Sequence, residues 1–117
     1  MLELLNICQE YLELDYPMDI RIKTRTKKSC DAKYNAMLDC NNKLVNHRIT
    51  IYLGNLENNS RTFDELLAHE LIHAWQQEFH VDDIHGKPFQ DCAEGLQECL
   101  QGFGFDVHNI YMESLDK

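Results

Sequence analysis

The stretch Thr62-Phe63-Asp64-Glu65-Leu66-Leu67-Ala68-His69-Glu70-Leu71-Ile72-His73-Ala74 decides how this chain is read. Thr62 followed three residues later by Glu65 is a capping box, in which each side chain satisfies a backbone N–H at the start of a helix. Behind it Phe63, Leu67, Leu71 and Ala74 recur at helical spacing, which predicts a helix over about 63 to 79 with that stripe facing a core. Asp64 and Glu65 suit its positive N-terminal end. His69 and His73 stand one turn apart on a different face, so two neutral imidazoles can converge on one tetrahedral Zn²⁺. Glu70, beside the first of them, is placed to take a proton from water rather than to bind the metal.

A catalytic zinc takes three protein ligands and keeps a fourth position open. Downstream, His80, His85 and Glu94 are the candidates for the third. The metzincin pattern wants a glycine and a histidine where this chain has Gln76 and Phe79. Glu94, on a later helix, would suit a gluzincin. The run Asp83-Ile84-His85-Gly86-Lys87-Pro88-Phe89 favours His85: it reads as a turn carrying a histidine into a new helix. There Gly86 allows close backbone approach and Pro88 fits the first helical position.

With those residues in place, the chain resembles the SprT-like (Spartan-related) zinc metalloproteases. The shared pattern is the zinc-binding helix, a loop of variable length, and then histidine followed by Gly-x-x-aromatic. Here it is matched by His69, Glu70, His73, His85, Gly86 and Phe89. The resemblance implies an α+β, zincin-like fold across most of the chain: an N-terminal helix, a small three-stranded antiparallel sheet, the zinc-binding helix, and a following helix carrying the third ligand at its start. It implies Zn²⁺ held by His69, His73 and His85, with Glu70 as the catalytic base. It also implies proteolysis of proteins crosslinked to or held on DNA. Many such proteins carry a C-terminal zinc ribbon; residues 1–117 read as a single domain that stops before one.

At 117 residues and 44% hydrophobic content, the chain is expected to be one globular domain with a modest core. No apolar run is long enough to span a bilayer, and the first fourteen residues carry Glu3, Glu10 and Glu13 with no basic region ahead of them. That predicts a cytoplasmic protein. Five cysteines, an odd number without a CxxC pair, suit reduced thiols, with Cys92 and Cys99 as core residues rather than ligands.

Along the chain, residues 2 to 14 read as a helix with Leu4, Leu5, Cys8, Tyr11 and Leu12 on one face, ending near Pro17. Residues 19 to 27 alternate strictly and predict a half-exposed strand. Residues 32 to 38 and 47 to 53 predict two more, joined by a turn at Asn41-Asn42, and a polar loop from Asn55 to Arg61 follows. Pro88 to Gln101 predicts a helix with Phe89, Cys92, Ala93, Leu96 and Leu100 inward and Gly102 as its stop. Phe103, Phe105, Val107 and Tyr111 suggest an extended tail packed back on the domain.

The net charge is −9, yet residues 20 to 48 hold eight of the eleven Lys/Arg against Asp31 and Asp39. Arg21, Lys23, Arg25 and Lys27 form a basic strand face that could meet DNA phosphates, although lysines of this kind also protect an exposed edge strand from aggregation. The chain's overall acidity weighs against a DNA role or hands recruitment to another factor. His80 and His108 read as solvated, and Trp75 and Tyr111 as packing residues. Asp82 and Asp83 read as acceptors that could orient a histidine ligand. Two other readings remain beside the endopeptidase: a small intracellular zincin that cuts a regulatory protein such as a repressor, and a non-catalytic zinc-stabilised binding module. Glu70 argues against the last, because a structural site has no use for a base.

Overall fold

The computed structural model describes residues 2–27, 31–56 and 62–111; Cys30 and most of the expected polar loop lie outside them. In chain order the elements are α1 (Leu2–Leu12), β1 (Met18–Lys23), β2 (Ala32–Leu38), β3 (Leu44–Tyr52), α2 (Leu53–Leu56), α3 (Phe63–Phe79) and α4 (Lys87–Gly102). The architecture is α+β.

Helix α3 is the centre of the molecule. It begins at the expected capping box, with Glu65 N–H donating to Thr62 Oγ1 at 3.2 Å and Thr62 N–H to Glu65 Oε1 at 3.1 Å. Such a cap is worth about 1 kcal/mol. Helix α3 touches β2 and β3 of the sheet as well as α1 and α4, and α1 and α4 touch each other. Burial therefore extends well beyond the predicted stripe: Leu66, Leu67, Ala68, Leu71, Ile72 and Ala74 are all buried, while Phe63 is only half-buried. From α1 the core takes Leu4, Cys8 and Leu12, from β3 Ile49 and Ile51, and from α4 Phe89, Ala93, Leu96 and Leu100.

The sheet departs from expectation. Its strand order is β1-β3-β2, with β3 antiparallel to β2 but parallel to β1, so it is mixed rather than antiparallel. The cause lies in burial. Strand β3 supplies Ile49, Thr50, Ile51 and Tyr52, all buried, and needs a neighbour on each edge. The chain leaving β1 crosses to the far side of β3 and returns as the β2–β3 hairpin, which inserts β3 between its predecessors. That leaves β1, with Arg21 and Lys23 exposed, on an edge.

Strand β1 also stops at Lys23, short of the predicted Lys27. Asn55 of α2 takes over the backbone there, accepting from Lys27 N–H and donating to Lys27 C=O, each at 2.8 Å. Gly54 makes this docking possible, since a Cβ would stand 2.8 Å from the Thr26 nitrogen. Arg25 and Lys27 consequently leave the strand face and lie over the Tyr52 ring, 5.5 and 5.9 Å from its centroid. Arg21 is paired with Asp19, which also holds Arg48.

Other boundaries moved for local reasons. Helix α1 ends at Leu12 because Glu13 turns left-handed (φ 56°) and Leu14 N–H closes onto Gln9 C=O. The Asn41-Asn42 turn is present, with Asn42 at φ 62°. Gly102 ends α4 but is not its left-handed stop; Gly104, at φ 94°, takes that conformation. Phe103 is exposed, whereas Val107 and Ile110 are fully buried. No helix among the described residues is long and apolar enough to cross a membrane. Cys8 is buried, Cys92 and Cys99 are half-buried, and all three are free thiols. Burial pushes the Cys8 and Cys92 thiols up to about 12, so both are thiols rather than thiolates at pH 7.

Candidate metal centre and cleft

His69 and His73 project from the same side of α3, and His85 meets them from the turn before α4. Their ring centroids lie 5.0 Å (69–73), 5.3 Å (69–85) and 5.0 Å (73–85) apart. One nitrogen from each lies within 4.8 Å of the other two, a cluster that could hold a metal ion. Glu94 is exposed on α4 and His80 is exposed at the left-handed cap of α3; neither joins the cluster.

The protonation of two rings follows from their partners. His69 Nδ1 lies 2.7 Å from the Ile110 carbonyl, which can only accept, so Nδ1 carries a hydrogen. Gln76 Nε2 donates to Asp83 C=O at 3.1 Å, which orients the amide so that Gln76 Oε1 faces His73 Nδ1 at 2.9 Å. His73 is therefore also a donor at Nδ1. Burial pushes its conjugate acid down to about 4, against a smaller opposite effect of the Gln76 hydrogen bond, so the ring is neutral at pH 7. Neutral imidazoles with the second nitrogen anchored are the form that binds metal. A three-histidine set beside a carboxylate fits Zn²⁺.

Phe89 explains the aromatic residue after His-Gly-x-x. It is fully buried, and its ring centroid lies 4.9, 4.8 and 5.2 Å from those of His69, His73 and His85. All three imidazoles rest on this one ring. Gly86 caps α4 and packs on Asp83, where a Cβ would stand 3.2 Å from Asp83 Cγ; Pro88 sits in the first turn, one residue later than predicted. Tyr111 O–H donates to His85 C=O at 2.9 Å and fixes the loop from outside the cleft.

The tail holds the centre together in a way that the sequence did not announce. Glu65 Oε2 accepts His108 N–H at 2.7 Å and Asn109 N–H at 3.0 Å, in addition to its capping role. Gln97 Oε1 accepts Ile110 N–H at 3.2 Å, and Gln101 donates to Val107 C=O at 2.7 Å. These bonds set the Ile110 carbonyl against His69. Asp83 likewise acts through its backbone carbonyl, not through the carboxylate that the sequence suggested, and Asp82 is exposed. Trp75 lines a separate surface pocket with Tyr11, Leu12 and Pro88, and its ring lies 6.4 Å from that of Phe79. His108 is exposed and pairs with Asp106.

A cleft of about 460 Å³ opens over the histidines. Glu70 lines it, 7% exposed, together with Ala32 and Tyr34 of β2, Gln76 and Gln77 of α3, and Val81 and Ile84 of the connecting loop. Tyr34 was not anticipated as a cleft residue. Burial, and then the nearby Glu78 charge, pushes its phenol up, so it remains a neutral O–H.

The model of the SprT-like family matches residues 9–109 of the chain. No curated protein and no solved structure gives a significant match.

Proposed function

This chain belongs to the SprT-like family, and from that premise we infer that it is a zinc-dependent endopeptidase acting on protein substrates. The observation that carries the reading is the convergence of His69, His73 and His85 in a cleft that Glu70 also lines. His69, His73 and His85 would hold the ion. Zinc, when bound, supplies Lewis-acid polarisation of the scissile carbonyl and acidifies the attacking water towards a pKa of about 7. Glu70 accepts the proton of that water and later delivers it to the leaving amine. A purely structural zinc would usually fill its fourth position with a protein ligand, whereas among the described residues this cluster has three and faces an open cleft.

Gln76 orients His73 and ties it to the loop that precedes His85. Gln76→Ala should weaken zinc affinity by about 10- to 100-fold, read by competition with a chromogenic chelator. Unchanged affinity would mean that the His73–Gln76–Asp83 chain does not matter to the metal.

The test of the whole reading is cleavage of casein, or of the chain itself, by the zinc-loaded protein, its loss on chelation, and its return with zinc. Full zinc occupancy without cleavage would replace the protease by a zinc-stabilised binding module. A DNA arm addresses the substrate class. With Arg21 paired to Asp19 and Arg25 and Lys27 over Tyr52, the basic residues no longer form one strand face, so the expected rate is the same with and without DNA. Stimulation by DNA would instead assign proteins held on DNA as the substrates.

A further inference from the structure

Beside the histidine cluster lies a second buried polar chain that the proteolytic reading does not use. His47 of β3 is fully buried, and its Nε2 stands 2.6 Å from Glu78 Oε2, whose side chain is 4% exposed. Its Nδ1 stands 2.7 Å from the Tyr34 hydroxyl. Glu78 also accepts the backbone N–H groups of Asp15 at 2.9 Å and Tyr16 at 3.3 Å, so its carboxylate is surrounded by donors. The Tyr34 end of the chain forms part of the wall of the cleft that Glu70 lines.

Binding the loop after α1 accounts for Glu78 but not for His47 and Tyr34. Burying an imidazole and a carboxylate costs free energy that well-packed apolar side chains would avoid. What the arrangement produces is a phenol whose position is fixed from behind. The Glu78 carboxylate only accepts, so His47 Nε2 carries a hydrogen, and His47 Nδ1 holds the Tyr34 oxygen at hydrogen-bond distance. A phenol hydrogen rotates about its C–O bond, so the anchored Tyr34 hydroxyl can present its O–H to the cleft that it lines. Among the other cleft residues, the Gln76 amide is committed to Asp83 and Gln77 is exposed on a flexible side chain. Donors held in place before the reaction stabilise developing charge far better than mobile ones.

We propose that Tyr34 is a further catalytic residue of this site, donating its O–H to the oxygen that becomes negative when the scissile carbonyl turns tetrahedral, and that His47 and Glu78 are its positioning residues. The proposal rests on the endopeptidase reading. It predicts that Tyr34 matters to the transition state and not to the ground state.

The experiment compares zinc-loaded wild type with Tyr34→Phe on a fluorogenic peptide. The kcat should fall by about 100-fold with KM within about twofold, the size expected for one lost oxyanion donor. A phosphinic peptide, which mimics the tetrahedral state, should bind Tyr34→Phe more weakly by a similar factor, while a product peptide binds equally to both. Glu78→Gln, which keeps shape but removes the charge behind His47, should lower kcat about tenfold at unchanged KM and zinc content. A kcat for Tyr34→Phe within threefold of wild type, or equal phosphinic-peptide affinity, overturns the proposal while leaving the endopeptidase intact. Should Tyr34→Phe lose zinc or fold poorly, Glu78→Gln decides by the same criteria. A zinc-loaded wild type that cleaves nothing overturns the endopeptidase reading, and this proposal with it.

Discussion

Glu70→Gln should lower kcat by about 1,000-fold or more while zinc content stays at wild-type level, the range expected when a general base is removed. The substitution is close to isosteric, so the 7% exposed site stays filled and the helix keeps its shape. An amide cannot accept the water's proton. Glu70 stands outside the cluster of three imidazoles, so the ion's ligands are untouched. The thermal midpoint should hold or rise slightly, because a buried carboxylate costs desolvation that the amide does not. Casein cleavage, metal analysis and thermal melting on the same preparation separate the possibilities. Activity above a tenth of wild type would move the base to another group. Loss of zinc together with activity would make Glu70 part of the metal's support instead.

How much of this was legible in the sequence depended on whether the determinant was local. Helix α3 was readable end to end, since a capping box and an apolar repeat act within a few residues and the structure runs from Phe63 to Phe79 as expected. His85-Gly86-x-x-Phe89 was readable as a turn into a helix for the same reason. The sheet was not. Alternation gives a strand its faces but not its neighbours, and the parallel pairing of β1 with β3 is decided by which strand the core covers most completely. The supports of the cluster were hidden for a different reason. The Ile110 and Asp83 carbonyls exist at every residue and leave no mark in side-chain chemistry. Glu65 looked complete as a cap, although its second oxygen holds the tail. Gln76 offered one signal in retrospect: it stands three residues after His73, on the same helix face. Tyr34, His47 and Glu78 lie far apart in sequence, and only the α3–sheet packing brings them into one chain of bonds.

His85→Ala should raise the zinc dissociation constant by at least about 100-fold, while Glu94→Ala leaves it and the cleavage rate unchanged. Losing an orienting partner of a ligand already costs about 10- to 100-fold, and losing the ligand itself costs more. The two candidates differ in what the fold invests in them. His85 is fixed by Tyr111 through its carbonyl, by the Asp83–Gly86 turn and by the ring of the fully buried Phe89. Glu94 sits next to buried Ala93 but points to solvent, on a helix whose inward face is already taken by Phe89, Leu96 and Leu100. Bringing Glu94 to the metal would require α4 to rotate and expose those apolar side chains, each worth about 1.5–3 kcal/mol when buried. Chelator competition on the two variants reads the choice directly. Zinc retained by His85→Ala but lost by Glu94→Ala would show that α4 turns on metal binding, and the three-histidine site would give way to one with a carboxylate.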